Sequence, residues 1–213
     1  MKIIAKAILA ALLIVTPACL AQNWEVGGMF GGGFTNPRTV STVSGNATAG
    51  FAHGIATGGL FGQTLSSRIS GEFRYTVDFN DLRISSSGTS ATFKGQTHSI
   101  HYDILVSGRS QRSRVRPFAV AGGGMRDFRG VGTESPYQPL SSFALLTKTS
   151  QWTPVVTFGA GIKYAISPRV LLRVEVRDYF SRFPTEVIAP AQDAHLSGWL
   201  HDVVPMAGIT FLF

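Results

Sequence analysis

Apolar residues recur at every second position of this chain over unusually long segments. The clearest segment is RVLLRVEVRDY, residues 169–179, in which one parity is mostly aliphatic and the other carries three arginines and a glutamate. The stretch RISGEFRYTVD, residues 68–78, repeats the pattern. A period of two is typical of a β-strand whose two faces meet different surroundings. The sequence therefore predicts a chain of amphipathic strands.

Eight such segments are separated by connections of alternating length. The predicted strands are 24–34, 48–61, 67–78, 91–106, 115–127, 151–164, 169–179 and 199–213. Most exceed the roughly 5–6 residues of a soluble strand and reach the roughly 9–11 that a tilted strand needs to cross a bilayer. Long connections at one end and short turns at the other are typical of bacterial membrane barrels. We expect an all-β fold, an eight-stranded antiparallel up-and-down transmembrane β-barrel.

The first 21 residues have the features of an export signal. Lys2 and Lys6 precede the apolar run AILAALLIV, residues 7–15, and small residues precede a cleavage point after Ala21. We therefore expect a signal peptide over residues 1–21.

The exported domain is then residues 22–213. Cys19, the one cysteine of the chain, lies in the leader, so disulfides do not stabilise this domain. Acylation of Cys19 in a lipoprotein signal is an alternative use of that residue.

The polar parity of these strands carries both signs of charge. Buried charges are costly unless they are paired, and an eight-stranded barrel has an interior only wide enough for side chains. If the residues of this parity face inward, their side chains fill and seal a polar lumen. Glycines would leave room for the longer side chains. The predicted ion-pair network comprises Glu72, Arg74, Asp103, Lys163, Arg173, Glu175 and Arg177. The same assignment also places Glu25, Arg68, Asp78 and Asp202 inside.

Aromatic residues cluster near the predicted strand ends. Trp152, Trp199, Tyr179 and Phe180 lie at the end with long loops, and Trp24, Tyr164 and Phe213 lie at the other. Two aromatic belts are expected of a membrane barrel. The core of a soluble sandwich is the alternative interpretation of these aromatics.

Three stretches carry a resemblance to a known family: PFAVAGGGMRDF (117–128), FGAGIKYAISPRVLLRVEVRDYF (158–180) and AGITFLF (207–213). The chain resembles the OmpA-like and opacity-type eight-stranded outer-membrane barrels. The resemblance implies residence in the outer membrane, contact with its lipids and lipopolysaccharide, and delivery by the barrel-assembly machinery. The implied assembly signal is Phe213, Phe211, Ile209 and Ala207. The peptidoglycan-binding domain of larger members is not expected here.

We expect a structural or surface-interaction role without catalysis or a cofactor. Long loops on a rigid barrel are suited to an extracellular ligand. A narrow porin-like channel for small solutes is one alternative. A lipid A-modifying enzyme is another, for which His195-Leu196-Ser197 supplies a His and a Ser two apart. We expect a monomer.

Histidines and arginines are the remaining candidates for a binding site. His98 and His101 are three apart on a strand and face opposite sides, so we expect no metal site. The net charge of +7 is scattered over strands and one turn, so we expect no nucleic-acid partner. That turn holds Arg109, Arg112, Arg114 and Arg116. It either touches phosphate headgroups or anionic cell wall, or it is a solvated turn whose charges prevent strand slippage.

Overall fold

The structure, a computed structural model, describes residues 24–43, 45–110, 112–135, 137–196 and 198–213. The predicted signal peptide and Ser197 lie outside the described residues. Among the residues described, no helix has the length and apolar character needed to cross a membrane. Fourteen β-strands are present in these ranges. They are β1 (Trp24–Thr35), β2 (Arg38–Thr42), β3 (Gly45–Phe51), β4 (Gly54–Thr64), β5 (Ile69–Phe79), β6 (Leu82–Ser86), β7 (Thr89–Phe93), β8 (Gly95–Ser107), β9 (Val115–Gly130), β10 (Ala144–Leu146), β11 (Ser150–Ser167), β12 (Val170–Arg182), β13 (Ile188–Pro190) and β14 (Trp199–Leu212).

Eight of these strands form a closed antiparallel barrel, which confirms the predicted fold class. Their order is β1-β14-β12-β11-β9-β8-β5-β4, and each barrel strand pairs with the next one along the chain. The first and last strands close the ring in a register that runs from Glu25 opposite Leu212 to Thr35 opposite Asp202. Closure leaves no barrel strand with an unpaired edge, as a hydrocarbon environment requires.

The barrel has two unlike ends. Short connections 65–68, 108–114 and 168–169 lie at one, which we call the turn end. At the other, the long connections form a four-stranded sheet, β2-β3-β6-β7, and a two-stranded sheet, β10-β13. We call these two sheets and their loops the cap. The structure interrupts two of the predicted strands, 48–61 at residues 52–53 and 91–106 at residue 94. Each is in fact a cap strand and a barrel strand.

The cap has an apolar core of its own. Its buried side chains come from all four long connections and from the adjoining ends of barrel strands. They are Val40, Ala47, Ala49, Phe51, Leu82, Ile84, Phe93, Phe128, Ala144, Leu146, Phe183, Val187, Ile188, Leu196 and Leu200. The long connections therefore fold together instead of extending separately into solvent.

The barrel wall is apolar outside and polar inside. On β12, Val174 and Val176 are 53% and 48% exposed, whereas the intervening Glu175 is 1% exposed. Exposed large apolar residues occur on every barrel strand. A monomeric soluble protein does not expose a continuous apolar surface of this extent. The surface is suited to lipid.

Two residues lie elsewhere than the sequence predicted. Tyr179 was predicted in an aromatic belt, but it is buried in the lumen, where its ring packs on His101 at 5.4 Å. Its odd parity on β12 turns it inward. Arg68 was predicted in the lumen, but it is exposed because it lies in a turn, just before β5 begins. Trp152 and Trp199 are exposed near the cap.

Candidate functional site

Charged side chains from opposite walls of the barrel meet in its lumen. β5 and β12 are separated by three strands in both directions around the barrel, so they face each other across it. The polar parity of β5 contributes Glu72 and Arg74, and that of β12 contributes Arg173, Glu175 and Arg177. All five are almost completely buried.

Three arginines join these walls. Arg173 of β12 binds Glu72 of β5 through Nη1 and Oε2 at 2.5 Å. Arg177 of β12 binds the same carboxylate through Nη2 and Oε1 at 3.0 Å. Arg74 of β5 reaches Glu175 of β12 in the opposite direction. Each of these ion pairs spans the lumen.

The remaining predicted members join the same network. Asp103 accepts from Arg177 Nη1 at 2.5 Å and from Thr157 Oγ1 at 2.7 Å. Lys163 Nζ donates to Glu25 at 2.5 Å, and Glu25 lies 3.6 Å from Arg173. The structure thus brings together all seven residues of the predicted network. Four acidic side chains, Glu25, Glu72, Asp103 and Glu175, face four basic ones, Arg74, Lys163, Arg173 and Arg177.

Close packing of these long side chains depends on glycine in the adjacent strand. A Cβ atom on Gly161 of β11 would lie 2.7 Å from the Glu175 Cβ atom and 2.6 Å from the Phe118 ring. A Cβ atom on Gly159 would lie 2.9 Å from Arg177 Cγ. Real side chains do not approach so closely, so these two positions of β11 need glycine where β12 presents its charged residues.

A second charged cluster lies nearer the cap. Arg126 is fully buried and binds Asp78 at 3.2 Å and Asp202 at 2.5 Å. Asp202 also accepts from Thr35 Oγ1 at 3.0 Å. The sequence prediction placed both aspartates inside but missed their arginine partner. The alternation of β9 did not reveal it, because the parity that carries Arg126 also carries the apolar and buried Phe118 and Val120.

The predicted assembly residues lie on the outer face of β14 and at Phe213, which directly follows it. Ala207, Ile209, Phe211 and Phe213 are exposed, whereas Thr210 between them is buried. The main chains of Phe213 and Trp24 exchange two hydrogen bonds of 3.1 Å, which joins the last strand to the first. The function of these residues in assembly stays a prediction.

The other candidate residues do not form a site together. His98 faces outward with Nδ1 2.7 Å from the Tyr75 hydroxyl, whereas His101 is in the lumen beside Asp103. His195 is in the cap and exchanges main-chain hydrogen bonds with Ser41. Within the described ranges, no three His, Cys, Asp or Glu side chains are grouped as metal ligands.

Solved structures of outer-membrane proteins resemble this fold, whereas comparison of the sequence alone finds no relative. No protein-family model and no curated protein sequence matches the chain. OprG, an outer membrane protein from Pseudomonas aeruginosa, superposes with a TM-score of 0.59 at 10% identity, over 91% of this chain and 96% of OprG. Neisserial surface protein A superposes with a TM-score of 0.56 at 14% identity, over 89% of this chain and 97% of that protein.

This chain has the fold of an outer-membrane β-barrel. The same architecture also supports catalysis elsewhere, because the outer membrane protease OmpT from Escherichia coli superposes with a TM-score of 0.52 at 10% identity, over 93% of this chain and 99% of OmpT. At such low identities the outer-membrane barrel fold is shared, and it does not assign an activity.

Proposed function

We propose that this protein is an integral protein of the bacterial outer membrane, a monomeric barrel with a sealed lumen and a structural or surface-interaction role. The observation that supports it best is the set of ion pairs between β5 and β12, which cross the full width of the lumen. The apolar outer wall supports insertion into a bilayer.

The charge pattern favours a sealed lumen over a channel. A selective pore is lined by charges of one sign or by ordered polar groups that face an open path. Here Arg173 and Arg177 contact Glu72 and Glu175 directly, and none of the four has more than 2% of its side chain exposed. Opening a path would separate buried opposite charges, which costs several kcal/mol for each ion left unpaired.

The cap is the part of the molecule that we propose contacts an extracellular ligand. Its apolar core fixes four connections relative to one another, so their outer surface has a defined shape. Arg83 and polar residues of β3, β6 and the β6–β7 turn line a depression on the surface of the cap. Lipopolysaccharide is expected around the cap end, and the barrel-assembly machinery is expected to recognise the chain during insertion.

The proposal includes no catalysis. Glu175 is engaged by three arginines in the lumen, so it is not free to orient His195 of the cap. Exchanging Ser197 for Ala should leave the acylation of lipid A unchanged. A changed acylation pattern would support the enzymatic alternative instead.

Electrical recording tests the sealed lumen. Purified protein would be inserted into planar lipid bilayers, with insertion verified by the mobility difference between unboiled and boiled samples. We expect no steady unit conductance from the native protein. A reproducible unit conductance would contradict the sealed lumen and favour the channel for small solutes.

A further inference from the structure

The turn end of the barrel carries an exposed set of arginines, which we call the arginine rim. It comprises Arg68 of the first turn, Arg109, Arg112 and Arg114 of the second, and Arg169 of the third. No acidic residue occurs in these three turns. The Glu25 carboxylate, at the same end of the barrel, is 12% exposed and is bound to Lys163. The rim is therefore basic, with no countercharge from the described parts of these turns.

The rim lies beside the lipid-facing wall. Arg68 directly precedes the outward-facing Ile69, and Arg114 directly precedes the outward-facing Val115. The Arg114 guanidinium lies over the ring of Tyr164, 5.1 Å from its centroid, and Tyr164 also faces outward. An arginine stacked on an interfacial aromatic keeps its stem on the apolar wall and its charge at the level of the headgroups.

We propose that the arginine rim binds the phosphate groups of anionic phospholipids in the leaflet that surrounds the turn end. A guanidinium matches phosphate oxygens in two-point geometry, and the rim uses arginine at every position, without lysine. Basic residues next to an anionic leaflet attract its headgroups over roughly a Debye length. This inference rests on the proposed function, because it requires the barrel to be inserted in a bilayer.

The position of Arg114 favours lipid over the cell wall. A cell-wall polymer lies beyond the headgroups and would be met by side chains that project away from the bilayer. Arg114 instead packs on Tyr164, on the side wall of the barrel.

The tryptophans supply reporters for the two ends. Trp24 is at the turn end, stacked at 4.9 Å on the lipid-facing Phe61, whereas Trp152 is exposed near the cap. One protein would retain only Trp24, with Trp152→Phe and Trp199→Phe. A second would retain only Trp152, with Trp24→Phe and Trp199→Phe. Each would be reconstituted in phosphatidylcholine vesicles with a small fraction of brominated phosphatidylglycerol or, separately, brominated phosphatidylcholine.

We expect Trp24 to report local enrichment of phosphatidylglycerol of about fivefold over phosphatidylcholine, the effect of roughly one surface arginine. Trp152 should be quenched equally by both lipids. Replacing all five rim arginines by glutamine in the Trp24 protein should abolish the enrichment. The matched control, Arg83→Gln with Arg182→Gln in exposed positions at the cap end, should leave it intact.

Two results would overturn the inference. The first is equal quenching of Trp24 by both lipids; rim-dependent binding to isolated peptidoglycan would then assign the rim to the cell wall, and no such binding would show that the rim is only solvated. The second is enrichment that persists in the five-arginine variant. A mobility difference on boiling checks insertion in every sample, and native protein that fails to insert would refute the proposed function and this inference with it.

Discussion

Glu175 shows how strongly a single lumen residue depends on its partners. It binds Arg173 at 2.8 Å and Arg177 at 2.8 Å, and it also contacts Arg74. Removing one member of a buried ion pair leaves the others with uncompensated charge. Loss of any one member therefore leaves buried charges unpaired, which destabilises the barrel.

Exchanging Glu175 for Gln should lower the free energy of unfolding by roughly 3–5 kcal/mol. The change keeps the shape of the side chain and removes its charge beside three arginines. Urea titration of the vesicle-inserted protein, followed by tryptophan fluorescence, measures the effect.

The control is Glu186→Gln at an exposed position of the cap, which should change stability by no more than about 0.5 kcal/mol. Equal unfolding midpoints for the two variants would show that the lumen network does not stabilise the protein.

Alternation predicted the lumen residues well on β5, β8 and β12, where the inward parity is charged. It failed on β9, because Phe118 and Val120 also face inward there, so polarity did not distinguish the two faces. Arg126 was missed for this reason. Arg68 was assigned inward by parity alone, but parity has no meaning once the residue is in a turn.

At the scale of elements, the inward face of the chain changes chemistry where barrel meets cap. Along β5 and β6 the inward residues Asp78 and Asn80 are followed by the buried Leu82 and Ile84. The exposed residues change from apolar to polar, since Phe79 is exposed on the barrel and Arg83 is exposed on the cap. Lipid outside the barrel favours an apolar outer face, and water around the cap favours a polar one. The predicted strand 67–78 ended at this boundary, one residue before β5 ends. The boundary was missed in the predicted strand 91–106, where the same parity stays buried from Phe93 to Thr97.

Exchanging Phe128 for Ala should loosen the cap without opening the barrel. Phe128 is fully buried and packs on Phe51 at 5.2 Å. Loss of a buried phenyl ring costs roughly 3–5 kcal/mol. Limited proteolysis of the inserted protein should therefore cleave the cap faster, while the mobility difference between unboiled and boiled samples is retained.

The control is Val43→Ala, at a side chain that is 94% exposed, and it should leave the proteolysis rate unchanged. If Phe128→Ala cleaved no faster than this control, the cap would not depend on its apolar core.

Exchanging Phe213 for Ala should impair assembly in cells more than refolding into vesicles. The substitution keeps both main-chain hydrogen bonds to Trp24 and removes the aromatic ring that the family resemblance implies is recognised. The amount of folded protein in the outer membrane and the yield of refolding in vitro measure the two effects. Phe158→Ala is a matched control, since both rings are 56% exposed. Equal losses for the two variants in cells would count against an assembly signal at Phe213.

Below the cap, the whole molecule reverses the arrangement of a soluble protein, because apolar side chains cover its outside and charged side chains fill its interior. Its fold class was predicted from strand length, strand number and the alternation of long and short connections, since each follows from crossing a bilayer. The cap was not predicted, because its core comes from four connections that are distant in sequence and individually rich in polar residues. Contacts of that kind depend on the closed barrel bringing the connections together.

Fractionation followed by electrophoresis tests the membrane barrel most directly. The protein would be expressed from the full sequence, with its predicted leader. The cell envelope would be separated into soluble periplasm, inner membrane and outer membrane, and each fraction would be run on an SDS gel with and without boiling. A closed barrel in the outer membrane should be found in that fraction and should change mobility on boiling. Protein found in the soluble periplasm with the same mobility before and after boiling would contradict the account.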